Sequence, residues 1–386
     1  MKTNNYFTAA QTQRNAWIAK MIFLLCAFTF AVLVFYEPAF AHERWVLTPD
    51  QMLELNAHPK PKIYTDTTLE GTLMLVFFGA ILAFLIRAHY FQHPAKWLVL
   101  FSGRVQHLTR LIPSILRLTL SWSLIMSALA LSPRLGNSPF VYPTIFAADL
   151  EIIWVDAKWH WLVYAELFVG LWLLSGIWTR MAAIATFAFM NVALYIFGEA
   201  FLAYYPTLLG VVIYLFFRGS GPFAISIACP RIFREIGEAL GDIPLRTPQY
   251  ILRILAGLNF IYLGVWFKIL QPNLAVGIVT IYDMPIMSLA PEFFTLFMAC
   301  VEIVAGIVIM AGILIRPASL FLLFAFFFFA TFLPESYDAH MTFYGVLLAF
   351  ILGGPGRLHD KGIYQGKLQE ANNEPFKKRI KNIISR

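Results

Sequence analysis

The sequence is short of charge and nearly devoid of cysteine. Of its 386 residues, 13% are Asp, Glu, Lys or Arg, against 59% hydrophobic, too few charges to clothe a water-soluble protein of this size. The three cysteines, Cys26, Cys229 and Cys300, form no C-x-x-C pair, which argues against a dithiol relay within the chain. There is no P-loop, no haem-attachment C-x-x-C-H and no G-x-G-x-x-G between a strand and a helix, so nucleotide- or haem-dependent catalysis by this chain alone has no support. The net charge of +7 is not read as a nucleic-acid signal. Lys and Arg collect in a few loops and in the tail Lys377-Lys378-Arg379-Ile380-Lys381, as membrane topology requires.

What the chain has is apolar runs. With a mean hydropathy of +0.69, it reads as all-α and polytopic, its main partner the lipid bilayer. Arg14 and Lys20 precede an apolar stretch that ends in Ala39-Phe40-Ala41, the pattern of a signal peptide over residues 1–41. Residues 42–70 are polar and form a periplasmic segment, and 71–91 is an extra transmembrane helix. Residues 112–223 form a first four-helix unit, 224–249 a cytoplasmic linker, 250–357 a second four-helix unit and 358–386 a basic cytoplasmic tail. The expected fold is therefore nine mature transmembrane helices, one extra plus two tandem four-helix bundles. The Lys/Arg bias places the mature N-terminus in the periplasm and the C-terminus in the cytoplasm of a bacterial inner membrane.

One pattern occurs twice. Glu166, Gly170, Gly176 and Arg180 spell E-x3-G-x5-G-x3-R, and Glu302, Gly306, Gly312 and Arg316 repeat it 136 positions later. At about 100° per residue these four side chains fall within about 120° on one face of a continuous helix. That face should look inward, since small residues allow close helix contact and a membrane carboxylate avoids lipid. At the same offset Arg117 matches Arg253, Glu199 matches Glu335 and Ala182 matches Ala318; residues 218–221 match 353–356 one position closer. Two units with an even number of spans point the same way, making a parallel repeat.

Leu252-Arg253-Ile254 opening a span, Gly264 and Lys268 near its end, Glu302 through Arg316, His340 with Tyr344-Gly345, and Gly354-Pro355-Gly356-Arg357 together resemble the DoxX family of four-helix membrane proteins. The resemblance implies a quinone-linked redox role and a periplasmic or membrane oxidoreductase subunit as partner. The chain departs from the family in having two units. The first lacks Lys268 and His340, with Ser132 and Tyr204 at those offsets, so the site is expected in the second.

Glu302 lies near mid-membrane, where a carboxylate costs several kcal/mol unless it is protonated or paired. Lys268 and His340 are the expected partners, with Glu335 and Asp338 at the outer mouth. The candidate catalytic residues are Glu302, His340 and Lys268. Glu335, Glu166, Arg253 and Tyr344 are candidate ligand-binding residues, no metal site is assigned, and the cofactor is left open with quinone as the candidate. In this reading Glu302 and His340 pass protons, Lys268 offers positive charge to a quinone carbonyl or small anion, and Phe326 to Phe329 wall a ring site. Other readings stay open: Glu302 bonded to neighbouring helices, Lys268 snorkelling to the interface, His340 solvated, and Arg180 and Arg316 as topology anchors. At the level of the whole chain, the alternatives are a transporter for a small solute, ion or metal, or a scaffold for an envelope complex.

Overall fold

A computed structural model describes residues 47, 49–91, 105–131, 142–225, 246–286, 288–332 and 340–355. The expected signal peptide, the basic tail, most of the linker, Ser132, Glu335 and Asp338 lie outside the described residues. Eleven helices organise the rest: α1 (Pro49–Ala57), α2 (Leu69–Phe91), α3 (Ile112–Ala128), α4 (Leu162–Ser175), α5 (Thr179–Phe197), α6 (Tyr205–Arg218), α7 (Arg246–Tyr262), α8 (Pro272–Ile281), α9 (Pro291–Ala311), α10 (Ile315–Phe332) and α11 (Met341–Gly353). A small antiparallel hairpin, β1 (Thr144–Ile145) and β2 (Ala147–Glu151), departs from an all-helical chain. Every segment read as a mature span is helical. Among the described residues, five stretches are long and apolar enough to cross a membrane: Leu69–His89, His107–Ala128, Thr179–Phe197, Thr247–Leu270 and Pro291–Ala311. Helices α4, α6, α10 and α11 occupy the remaining expected spans and are shorter. Large side chains on outward faces, including Phe77 and Phe84 of α2, Tyr164 and Phe168 of α4, and Phe321 and Phe324 of α10, are exposed, as lipid contact requires.

The repeated motif does not lie on one helical face. Each copy breaks at its second glycine, because Gly176 (φ +72°) and Gly312 (φ +74°) adopt the left-handed conformation that ends a helix. Arg180 and Arg316 therefore belong to the next helix, α5 and α10. The first glycine of each copy permits close packing. A Cβ on Gly306 would stand 2.6 Å from the carbonyl oxygen of Gly257, and one on Gly170 would meet Ile125 at 3.0 Å.

The arginines brace helix ends. Arg117, fully buried, donates to the carbonyl oxygens of Leu173 (2.6 Å), Leu174 (2.5 Å) and Phe223 (2.6 Å). Arg253, at the matching position, donates to Pro355 O and lies over the Tyr250 ring. Arg180 reaches Phe216 O (3.1 Å) and Phe217 O (3.4 Å); Arg316 reaches Ile351 O (2.9 Å) and Leu352 O (3.5 Å). Carbonyls left without partners at helix C-termini are thus satisfied by guanidinium donors. In these last contacts the offset is 135, so the residue in register with His340 is Tyr205 and not Tyr204.

The two sets of four helices are not separate bundles. Packing runs from α3 to α4, α5, α6, α7, α9, α10 and α11 and closes back on α3. The first helix of each set therefore sits on the last helix of the other, α3 on α11 and α7 on α6. One apolar core spans both sets, including Leu116, Leu120 and Leu124 of α3, Leu252 and Phe260 of α7, and Leu347 and Phe350 of α11. Asn259 of α7 fastens the seam: it donates to Ala203 O at 2.7 Å and accepts from the backbone N–H of Thr207 at 3.2 Å, serving the start of α6.

The N-terminal stretch wraps the second set. α2 packs on α9 through Met74, Phe78, Leu296 and Cys300. The stretch read only as a polar periplasmic segment includes α1, which packs on α8 through Met52 and Leu274. Asn273 donates to His58 O at 2.6 Å, and Lys60 donates to Leu270 O at 2.7 Å. Tyr64 donates to Glu292 O at 3.4 Å, and its burial pushes the phenol well above its ordinary value.

Candidate functional site

Glu302 sits about midway along α9, a helix of 21 residues, or about 16 Å from its start at 1.5 Å per residue. The Lys268 ammonium donates to both carboxylate oxygens, at 2.8 Å and 2.9 Å. The two side chains are 19% and 18% exposed, enclosed but not sealed. Mutual neutralisation with two hydrogen bonds is the arrangement that makes a mid-membrane charge tolerable. Lys268 is therefore an ion-pair partner and not a free lysine reaching for the interface.

The backbone places Lys268 there. Beyond Tyr262, α7 continues as a π-helix over Leu263–Leu270, closed by an i to i+5 bond from Gln271 N–H to Trp266 O at 3.2 Å. Such wide turns are rare and concentrate at functional sites. The looser winding turns Lys268 relative to the α-helical register. At its start, Gly264 lets the strand of backbone lie against α9, where a Cβ would stand 2.9 Å from Ala299 O and 3.3 Å from the Glu302 Cβ. Tyr262 and Trp266 stack on the same segment, with centroids 6.0 Å apart, and the Trp266 indole N–H is buried without a hydrogen-bond partner.

The other expected residues are distributed differently. His340 precedes α11 and lies against Phe326 (5.0 Å) and Phe343 (6.1 Å), and α11 packs chiefly on α3 and α10. Tyr344 stacks on Phe327 at 5.0 Å. Phe326 also faces Phe260, so this layer of rings joins α7, α10 and α11. Arg253 is engaged with the Pro355 carbonyl at the opposite end of α7 from Lys268. Glu335 lies outside the described residues.

Glu166 is fully buried and, among the described residues, meets no side-chain cation. Its Oε1 accepts the backbone N–H of Phe146 at 2.6 Å. Phe146 is held in the left-handed region (φ +64°) at the tip of the hairpin, with its ring against Phe189 (4.8 Å) and Phe201 (5.0 Å). The hairpin thus gives Glu166 a single main-chain donor where Lys268 gives Glu302 an ammonium on both oxygens. Sequence reasoning missed Phe146 because its contribution is a main-chain N–H, which carries no residue signature. Asn259, a lone amide in an apolar run, offered a signal that went unread.

Residues 249–335, from the start of α7 through the end of α10, match the family model described as DoxX. No curated protein and no solved structure matches the chain. The match covers Lys268, Glu302 and the second copy of the motif, and with the apolar helices it marks a multi-pass membrane protein with a DoxX-like second half.

Proposed function

We propose that this chain is an inner-membrane, redox-associated protein that binds quinone in its second half, and that the Lys268–Glu302 pair is the centre of that site. The observation that carries the reading is a bidentate ion pair at mid-membrane on a π-helical turn. A quinone carbonyl accepts from the Lys268 ammonium, and Glu302, released from part of its pairing, exchanges a proton as the ring is reduced or oxidised by a partner oxidoreductase. The ring layer of Phe326, Phe343 and Tyr344 supplies apolar surface for the quinone or its tail. His340 at the edge of that layer is the second proton carrier in this reading.

The repeated motif, its paired arginine braces and its paired left-handed glycines support a tandem duplication. The distribution of Lys and Arg supports a periplasmic mature N-terminus and a cytoplasmic C-terminus. Quinone retained by the protein purified in mild detergent, and lost in Glu302→Gln and Lys268→Met, is the expected result. Purified protein that neither retains nor takes up quinone overturns the reading. A transport role would instead give saturable solute flux in proteoliposomes that Glu302→Gln abolishes.

A further inference from the structure

The acids at matching motif positions live in opposite surroundings. Glu302 meets an ammonium on both oxygens. Glu166 is 0% exposed, accepts one N–H on Oε1, and meets no donor at Oε2. Helix α4, which carries it, packs on α3, α5 and β1, and the ionisable side chains on those elements are Arg117, Arg180 and Tyr195. Arg117 is spent on the carbonyls of Leu173 and Leu174, about 10–12 Å further along the helix from Glu166. Arg180 is bound to Phe216 O and Phe217 O, and Tyr195 is 61% exposed on the outer face. Glu151 of the adjoining β2 is buried and is itself an acid.

A bare carboxylate in such a closed apolar setting, with one main-chain donor and no cation, is far costlier than the neutral acid. We infer that Glu166 is a proton-binding site held as the neutral carboxylic acid, its proton on Oε2, while its counterpart Glu302 is ionised. The hairpin is the cover of this site. Ile145, Phe146 and Ala147 are all buried at its tip, and the Phe146 ring is seated between Phe189 and Phe201. The Phe146 N–H can only donate, so it serves the carbonyl oxygen of the acid and cannot take the proton. The inference is independent of quinone binding in the second half.

Infrared spectroscopy of the full chain in lipid nanodiscs at neutral pH tests it. Wild type should show the carbonyl stretch of a protonated carboxylic acid. That band should vanish in Glu166→Gln, while Glu302→Gln removes carboxylate intensity instead. A neutral-acid band that persists in Glu166→Gln, or loss of a carboxylate band in that variant, overturns the proposal. Should Glu166→Gln fail to assemble, the Lys268→Met/Glu302→Leu double variant decides when Glu151→Gln and Glu199→Gln are added, which removes the other enclosed acids near this end of the described helices. The band must survive there, and its absence from that background also overturns the inference.

Discussion

Lys268 and Glu302 depend on each other, because either charge alone is stranded among apolar neighbours. Glu302→Gln should therefore lower stability by about 3–5 kcal/mol, whereas Lys268→Met combined with Glu302→Leu should leave it nearly unchanged; thermal melting in detergent reads both. If the single variant melts like wild type, the pair contributes nothing to the fold. The Lys268–Glu302 pairing was legible in the sequence because a mid-membrane acid demands a partner, and Lys268 lay at the end of a neighbouring span. His340 was drawn in by the same reasoning, and its ring lies against Phe326 and Phe343. Phe146 was illegible for another reason, since any residue can present an N–H.

At the scale of elements, the π-helix is what aims Lys268, and no residue pattern announced it. Inserting one alanine after Val265 should advance Lys268 by one residue step, about 100° around the helix axis. Ion-pair loss would then appear as the same destabilisation as Glu302→Gln, and quinone retention should fall with it. An insertion variant that keeps wild-type stability and retention would show that the setting of Lys268 by this segment has no role. The carbonyl of Leu270 at the end of this segment is tied to Lys60 in an exposed contact, so Lys60→Met should lower the melting temperature only slightly. The helices themselves were readable from apolar run length. Their breaks were harder: treating Glu166 to Arg180 as a single face overlooked that a glycine after an apolar run also ends helices. Helix α1 stayed hidden because its sequence, Pro49–Ala57, is polar with only a few packed residues.

For the whole molecule, the sequence indicated two similar sets of helices but not how they meet. Two self-contained bundles and two interlocked ones bury the same faces, so hydropathy cannot choose between them. The observed seam, α3 on α11 and α7 on α6, makes a definite prediction. A chain cut within residues 226–245 should give halves that are each degraded when expressed alone and that co-purify as one complex when expressed together. A first half that is stable on its own would contradict a shared core.

The same closure has a consequence for biogenesis. The docking groove for α11 on α3 exists from the moment the early helices enter the bilayer, yet its occupant is among the last segments to leave the ribosome. Until then the nascent protein must wait in the membrane with polar groups such as Thr119 and Gln249 facing lipid or an insertion factor, so its maturation is paced by completion of translation and not by the folding of its first half.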